Sequence, residues 1–227
     1  MAAYLATVGG FADSSGFILS GRFTSHVTGN VARLSTDLAL RRPDAREAGC
    51  LVIAFLGGAL AATLVIESRL FSRRPYAYGA ALLLEAALLT GYLLGGPSEG
   101  FLRLRGLVLL CAAMGLQNSL VTRLSGAVVR TTHLTGVVTD LGIEIGRWLR
   151  WLAGRPGAER PTSKSLLLYS VIGGTFTTGA VAGAFAIVSL GARAMLVPAA
   201  MVTIAALYAL ASGRSVPVTG ATSTPGA

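Results

Sequence analysis

Residues 50–70 read CLVIAFLGGALAATLVIESRL, an apolar stretch that carries no charge before Glu67. A helix rises about 1.5 Å per residue, so roughly 20 apolar residues are enough to cross the hydrocarbon core of a bilayer. A helix of this composition would have no polar face to turn toward water. The stretch therefore predicts a membrane-spanning helix.

Five further apolar runs have similar lengths and are bounded by Arg, Pro or Gly. The whole chain is 53% hydrophobic and only 13% charged, which excludes an ordinary soluble domain. We therefore predict an all-α polytopic membrane protein with about six transmembrane helices. The first run follows no Lys or Arg and precedes no small-residue cleavage pattern, so we expect it to remain in the mature protein. The predicted spans are residues 4–21, 50–70, 78–94, 104–124, 165–190 and 194–210.

The formal net charge of +9 indicates an anionic partner, and the basic residues fall mostly between the apolar runs. Basic residues at such positions border lipid headgroups, so we expect membrane lipids as partners and no nucleic acid.

Cys50 and Cys111 stand alone in apolar sequence, which predicts packing roles, and we expect neither a metal nor a cofactor. Residues 213–227 contain too few apolar side chains to fold, and we predict a disordered tail.

An internal repeat divides the single transmembrane domain of residues 1–212 into residues 1–96 and 101–212. Each repeat is predicted to contain a spanning helix, a short polar helix and two further spanning helices. The polar helices, residues 25–40 and 132–148, have Ser25 and Thr132 at their starts as expected caps. The segments that correspond are Gly10-Phe11-Ala12-Asp13 with Gly115-Leu116-Gln117-Asn118, His26-Val27-Thr28-Gly29 with His133-Leu134-Thr135-Gly136, and Gly57-Gly58 with Gly173-Gly174.

The orientation of the repeats depends on whether the short polar helices cross the membrane. If they do not, each repeat crosses three times and the repeats are inverted; if they do, there are eight crossings and the repeats are parallel. The basic loop of residues 147–164 indicates the cytoplasmic side. We favour six crossings, with Arg69, Arg73 and Arg74 also cytoplasmic, because residues 26–40 are too short and polar to face lipid. A re-entrant or an interfacial amphipathic helix remains open for these segments.

Polar side chains recur on one face of both short helices and at matching depths in the first helix of each repeat. A spacing of eleven residues brings His26 and Asp37, and likewise His133 and Glu144, onto one helical face. We expect the two histidines to face each other within reach of Asp37 or Glu144, and Asn118 to serve Asp13 as a hydrogen-bond donor. The candidate residues for binding a solute or proton are Asp13, His26, Thr28, Asn30, Asp37, Gln117, Asn118, His133, Thr135, Asp140 and Glu144.

The segments Gly10-Phe11-Ala12-Asp13-Ser14-Ser15-Gly16-Phe17 and Phe23-Thr24-Ser25-His26-Val27-Thr28-Gly29-Asn30 resemble the YoaK-like family of bacterial inner-membrane proteins. This family is classed by domain of unknown function 1275, and the resemblance covers nearly the whole chain except its tail. It implies a small multi-pass protein of the bacterial plasma (inner) membrane. It supplies neither a substrate nor catalytic residues.

Three functions fit these features. Duplicated halves with interrupted polar helices are typical of secondary transporters, so we expect a permease for an unknown small solute, coupled to protons through histidine. A membrane-embedded lipid-modifying enzyme could use the same side chains, although the sequence has no HExxH or CxxC pattern. A non-catalytic membrane subunit, packed through its many glycines, is the third, and homo-oligomerisation is left open.

Overall fold

The structure, a computed structural model, describes residues 1–68, 74–95, 101–124, 132–157 and 159–212. These residues form helices and no strand, which confirms the prediction of an all-α protein for this part of the chain. The predicted tail and Arg69 and Arg73 lie outside the described residues, as does the side chain of Arg74. The helices are α1 (Ala2–Ser20), α2 (Val27–Ala39), α3 (Ala45–Ile66), α4 (Arg74–Gly95), α5 (Phe101–Leu124), α6 (Leu134–Leu152), α7 (Ser163–Leu190) and α8 (Leu196–Ser212), with a 3-10 turn at Gly191–Met195 between the last two.

Four helical stretches of the described residues are long and apolar enough to cross a membrane: Ala45–Ile66, Tyr76–Leu93, Arg103–Leu124 and Ser163–Ser212. The expected span in α1 is not among them. The apolar side chains of α3 point outward along one face, where Ile53, Leu56, Leu60 and Leu64 are all exposed. A folded chain that leaves such a stripe uncovered needs an apolar surrounding, which lipid provides.

Helices α3 and α5 lie side by side and run in the same direction. At one end, Arg103 of α5 pairs with Glu47 of α3 and donates a hydrogen bond of 3.2 Å to the backbone oxygen of Ser20 at the end of α1. At the other end, Arg123 of α5 pairs with Glu67, just after α3, at 2.9 Å. We call these the Glu47 end and the Glu67 end of the bundle. Helix α1 reaches the Glu47 end with its C-terminus, so it runs opposite to α5.

Two glycines allow α3 and α5 to cross at backbone contact. A Cβ atom on Gly58 would overlap the carbonyl oxygen of Ala112, and one on Gly115 would overlap the carbonyl oxygen of Phe55. Small residues at a crossing let helix backbones approach in an apolar medium, where dispersion and weak Cα–H···O contacts contribute to the association. The sequence of the crossing therefore fixes which faces of the two helices meet.

Helices α1 and α7 form a second parallel pair of the same kind. A Cβ atom on Gly179 would overlap the carbonyl oxygen of Thr7, and one on Gly183, a turn later, would lie 2.5 Å from the carbonyl oxygen of Phe11. Both helices therefore run from the Glu67 end to the Glu47 end.

The two crossings correct one correspondence inferred from sequence. Gly10 of α1 meets the carbonyl oxygen of Phe176 as Gly115 of α5 meets that of Phe55. In this packing Gly179 takes the place of Gly58, whereas a Cβ on Gly174, matched to Gly58 by sequence, would meet no described atom within 4 Å. Short Gly-Gly motifs are frequent in this chain, so similarity of letters alone selected the wrong glycine.

The remaining long helices close the core. Helix α4 packs antiparallel to α5, with Gly91 beside Leu109 and Tyr92 beside Gly106, and α8 packs antiparallel to α4, with Leu210 against Gly79. Gly191 adopts a positive φ of 59° at the end of α7, which a residue without Cβ tolerates, and the chain turns there from α7 into α8. The common core between these helices contains large, fully buried side chains from α1, α4 and α5.

The two polar helices, α2 with 13 residues and α6 with 19, pack against the long helices that follow them, α3 and α7 respectively. Their C-terminal residues are followed by Arg41 and Gly154, with φ of 51° and 60°. In both helices, the N–H groups of this residue and of the residue after it donate to carbonyl oxygens of the last helical turn, which is the Schellman arrangement. Leu38 at the end of α2 and Leu149 at the end of α6 are more than 60% exposed. Both helices are amphipathic and return to opposite ends of the bundle, α2 to the Glu47 end beside Arg33–Glu47 and α6 to the Glu67 end.

Candidate functional site

A histidine caps the start of each short helix in the same conformation. His26 has φ −88° and ψ 74°, and His133 has φ −85° and ψ 55°. Each imidazole folds over the glycine three residues later, because a Cβ there would lie 2.6 Å from Nδ1 of His26 or 2.5 Å from Nδ1 of His133. The repeated His-x-Thr-Gly sequence thus encodes one local structure twice. It also corrects the predicted caps, since His26 and His133 take the cap position in place of Ser25 and Thr132.

Asp13, near the middle of α1, holds the backbone that leads into α2. Its Oδ1 atom accepts hydrogen bonds from the backbone N–H of Thr24 at 2.9 Å, the hydroxyl of Thr24 at 3.1 Å and the backbone N–H of Ser25 at 2.8 Å. The carboxylate is buried, and three donors compensate for its lost hydration. The expectation that Asn118 supplies the donors is therefore wrong, because they come from the chain segment that follows α1 itself.

Asn118 holds the start of α6 by the same means. Its Oδ1 accepts a hydrogen bond of 3.3 Å from the backbone N–H of Thr132, and its amide donates to the hydroxyl of Thr132. Thr132 immediately precedes His133, as Ser25 immediately precedes His26. One Asx side chain on a long helix thus positions one histidine in each half.

The two histidines line a single cleft of about 810 Å³ between α2, α3, α5 and α6. Of the candidates from sequence, the cleft brings together His26, Thr28, Asn118, His133 and Thr135. No carboxylate lies among its described lining. The other lining residues are Ser25, Val27, Phe55, Ala59, Gly115, Ser119, Thr122, Arg123, Thr132 and Leu134.

Sequence reasoning missed the contribution of α5 to this cleft beyond Asn118. Gly115, Ser119 and Thr122 follow each other at intervals of three and four residues, so they form one polar stripe on an otherwise apolar helix. Arg123 adds a cation beside that stripe, and its guanidinium is shared with Glu67 and the hydroxyl of Thr63. The spacing of small and hydroxyl-bearing residues was the signal that could have identified them.

Asp37 and Glu144 lie away from the cleft, which corrects the expected contact with the histidines. Asp37 pairs with Arg33 at 3.3 Å and Arg42 at 3.8 Å, and Glu144 pairs with Arg147 at 2.7 Å. The eleven residues from His26 to Asp37 span roughly 16 Å of helix at 1.5 Å per residue. Two residues can therefore share one face of a helix and still lie three turns apart along its axis.

The remaining candidates also point elsewhere. Asn30 donates to the backbone oxygen of Phe23 at 3.5 Å, and Gln117 donates to that of Leu5 at 2.6 Å. Asp140 on α6 lies against Tyr169 on α7. These side chains connect neighbouring elements, and the described lining of the cleft does not include them.

Glu85 of α4 is fully buried in the core, and neither of its carboxyl oxygens has a hydrogen-bond partner in the described residues. Among those residues no group of three or more His, Cys, Asp or Glu side chains could hold a metal ion.

Comparison with known proteins identifies a family and nothing closer. The family described as "Protein of unknown function (DUF1275)" matches residues 1–208, so the chain belongs to that family, as the motifs around Asp13 and His26 predicted. No curated protein and no solved structure matches the chain.

Proposed function

We propose that this DUF1275 protein is a secondary transporter of a small polar solute, and that the solute binds in the cleft lined by His26 and His133. The observation that carries the proposal is the shared cleft, which is lined by the His-x-Thr residues of the same motif from both halves. Transporters with inverted repeats place their substrate site between the repeats, beside the ends of discontinuous helices.

The directions of the helices support inverted repeats. Helix α1 runs opposite to α5, and α3 runs opposite to α7, because the parallel pairs are α1 with α7 and α3 with α5. Helix α2 returns to the Glu47 end and α6 to the Glu67 end, and α4 runs opposite to α8. Every element of the first half thus has a counterpart of reversed direction in the second half. A two-fold axis through the cleft would produce this arrangement.

These directions support six crossings. The helical stretch Ser163–Ser212 contains 50 residues, which would extend about 75 Å if straight and so exceeds a hydrocarbon core of about 30 Å. The turn at Gly191 divides this stretch into the two crossings α7 and α8. Helix α1 is the sixth crossing, because it packs along α7. Each polar helix enters the membrane and returns to the side from which it entered. That side is the Glu47 end for α2 and the Glu67 end for α6.

The lining of the cleft favours a neutral or anionic solute over a cation. The described lining offers hydroxyl groups, an amide, two imidazoles and one guanidinium, and no carboxylate that would compensate a positive charge. The N-terminal ends of α2 and α6, which carry partial positive charge, also open on this space. Proton coupling would use the histidines, because Asp13 is occupied by backbone donors.

We place the protein in the bacterial inner membrane with the Glu67 end in the cytoplasm. The loop between α6 and α7 lies at this end and contains Arg155 and Arg160, and Lys164 follows in the first turn of α7. Arg147 and Arg150 in the last turns of α6 add to the same surface. Positive charge near the ends of spanning helices favours the cytoplasmic side.

Uptake into reconstituted vesicles tests the proposed function. Purified protein in proteoliposomes is exposed to a filtered bacterial extract of small metabolites, and the solutes retained inside are identified by mass spectrometry. We expect at least one solute to accumulate with the wild-type protein. Ala59→Trp fills the cleft and should abolish that uptake, whereas Leu60→Trp, on the exposed face of the same helix, should preserve it. Equal solute content in vesicles with wild-type protein, Ala59→Trp and no protein would refute transport of any solute in the extract.

A further inference from the structure

One carboxylate at the Glu47 end gathers arginines from three separate segments. Glu47, at the start of α3, accepts a hydrogen bond of 2.8 Å from Arg22 after α1, pairs with Arg33 of α2 at 3.3 Å, and pairs with Arg103 of α5. Its side chain is only 12% exposed. Asp44 extends the cluster through Arg33 at 3.0 Å. Charge-assisted bonds of low exposure are among the stronger polar interactions, and here they join four elements at one point.

An apolar layer lies directly beneath this cluster, between α3 and α5. Leu51, one turn below Glu47, packs with Leu107 and Cys111, and all three side chains are completely buried. About two turns beyond Leu51, Gly58 meets α5, and there Gly58 and Gly115 bring the two backbones into contact. The cleft begins at that crossing and continues toward the Glu67 end, as its lining residues Phe55, Gly115 and Arg123 show.

On the opposite side of the crossing, the ion pair that joins α5 to the end of α3 is more exposed than the Glu47 cluster. Thr63 and Ser119 approach at 3.5 Å, and the pair of Arg123 with Glu67 is 33% and 63% exposed. Exposed ion pairs contribute little to stability because water and salt screen them. Among the described residues, the ion pairs at the two ends of α3 and α5 therefore differ: the Glu47 carboxylate is largely buried above a packed apolar layer, whereas the pair of Arg123 with Glu67 is partly solvated.

We propose that the Glu47 cluster is a gate that closes the cleft toward the Glu47 end, with the layer of Leu51, Leu107 and Cys111 as the barrier behind it. This inference rests on the proposed transport function. For solute to leave at this end, α3 must separate from α5, and the Arg103–Glu47 contact must break. Alternating access then requires that the cluster forms when the cleft is accessible from the Glu67 end and opens in the reverse state.

Cys111 is a natural reporter for this gate. The chain has two cysteines, so a Cys50→Ser protein leaves Cys111 as the sole thiol, sealed in the barrier layer. In detergent or in vesicles, we expect N-ethylmaleimide to modify it slowly. Glu47→Gln should accelerate modification at least about tenfold, the change in an opening equilibrium expected from losing charge-assisted hydrogen bonds. Glu67→Gln, which removes the carboxylate at the other end, should leave the rate unchanged.

Arg103→Gln serves as a second variant in case Glu47→Gln does not fold, because it releases only the contact between α5 and Glu47. It should accelerate modification by a smaller factor. An unchanged rate in folded Glu47→Gln or in Arg103→Gln overturns the gate, as does equal acceleration by Glu67→Gln. The assay needs no solute, so it separates the two proposals. Accelerated labelling without any solute uptake would refute the transport function but not the opening of α3 from α5 at the Glu47 end. Uptake with unchanged labelling would refute only the gate.

Discussion

At the scale of single residues, the protein repeats a small set of contacts at the start of each polar helix, α2 and α6. An Asx side chain on a long helix binds the backbone just before a histidine, and the histidine ring covers a glycine. The chemistry of the Asx residue differs between the halves, since Asp13 only accepts hydrogen bonds whereas Asn118 both accepts and donates. The shared function of the two positions is therefore acceptance of a backbone N–H.

Substitution of Asp13 distinguishes this structural role from a role in proton transfer. Asp13→Asn keeps an acceptor oxygen for the N–H groups of Thr24 and Ser25, so we expect its stability in detergent to stay within about 1 kcal/mol of wild type. Asp13→Ala leaves those donors without an acceptor and should lower the free energy of unfolding by roughly 2–4 kcal/mol. Denaturant titration followed by circular dichroism measures both values. Equal stability of Asp13→Ala and wild type would show that the three hydrogen bonds hold nothing in place.

The sequence predicted several residues of the cleft because their pattern is repeated. Both histidines and Asn118 were selected from the duplicated motifs, and they do line one space. Asp37 and Glu144 were assigned to the same site because a helical wheel shows the face of a helix and discards position along its axis. The role of Asp13 was misjudged for a different reason: its donors are backbone N–H groups, which no sequence motif displays.

At the scale of elements, the glycine crossings decide which helices pair. Helices α1 and α7 are far apart in the chain, yet Gly10 and Gly179 bring their backbones together, and Gly58 and Gly115 do so for α3 and α5. The lengths of the apolar runs predicted where these helices begin and end to within about five residues. It could not predict their partners, because lipid-exposed and buried faces are both apolar and the 29 glycines offer many possible crossings.

Neighbouring glycines of α3 provide a matched test of the crossing. A methyl group on Gly58 would overlap the backbone of α5, whereas one on Gly57 would meet no described atom within 4 Å. We expect Gly58→Ala to destabilise the protein by about 1–3 kcal/mol, as overpacking does in a close-packed interior. Gly57→Ala should be neutral or slightly stabilising, because alanine favours the helix. Thermal unfolding in detergent compares the two variants, and equal melting temperatures would contradict the packing of α3 against α5.

At the scale of the whole molecule, the account turns on the inverted arrangement of the halves. Hydropathy alone recognises four stretches that could cross a membrane, because it merges α7 with α8 and passes over α1. Helix α1 contains Asp13, Ser14 and Ser15, and these polar side chains lower its mean hydropathy. The proposal that α1 is a crossing therefore rests on its packing along α7 and not on its hydropathy.

The loops that follow α2 and α6 test this arrangement most directly. Arg41 and Arg155 lie in corresponding Schellman turns and are both exposed. In inverted halves they lie on opposite faces of the membrane, and in parallel halves with eight crossings they lie on the same face. Single-cysteine variants Arg41→Cys and Arg155→Cys, made in a Cys50→Ser, Cys111→Ala background, are treated with a membrane-impermeant maleimide in intact spheroplasts and again after permeabilisation. We predict that Arg41→Cys reacts in intact spheroplasts and that Arg155→Cys reacts only after permeabilisation; labelling of both variants from the same side would contradict the inverted fold.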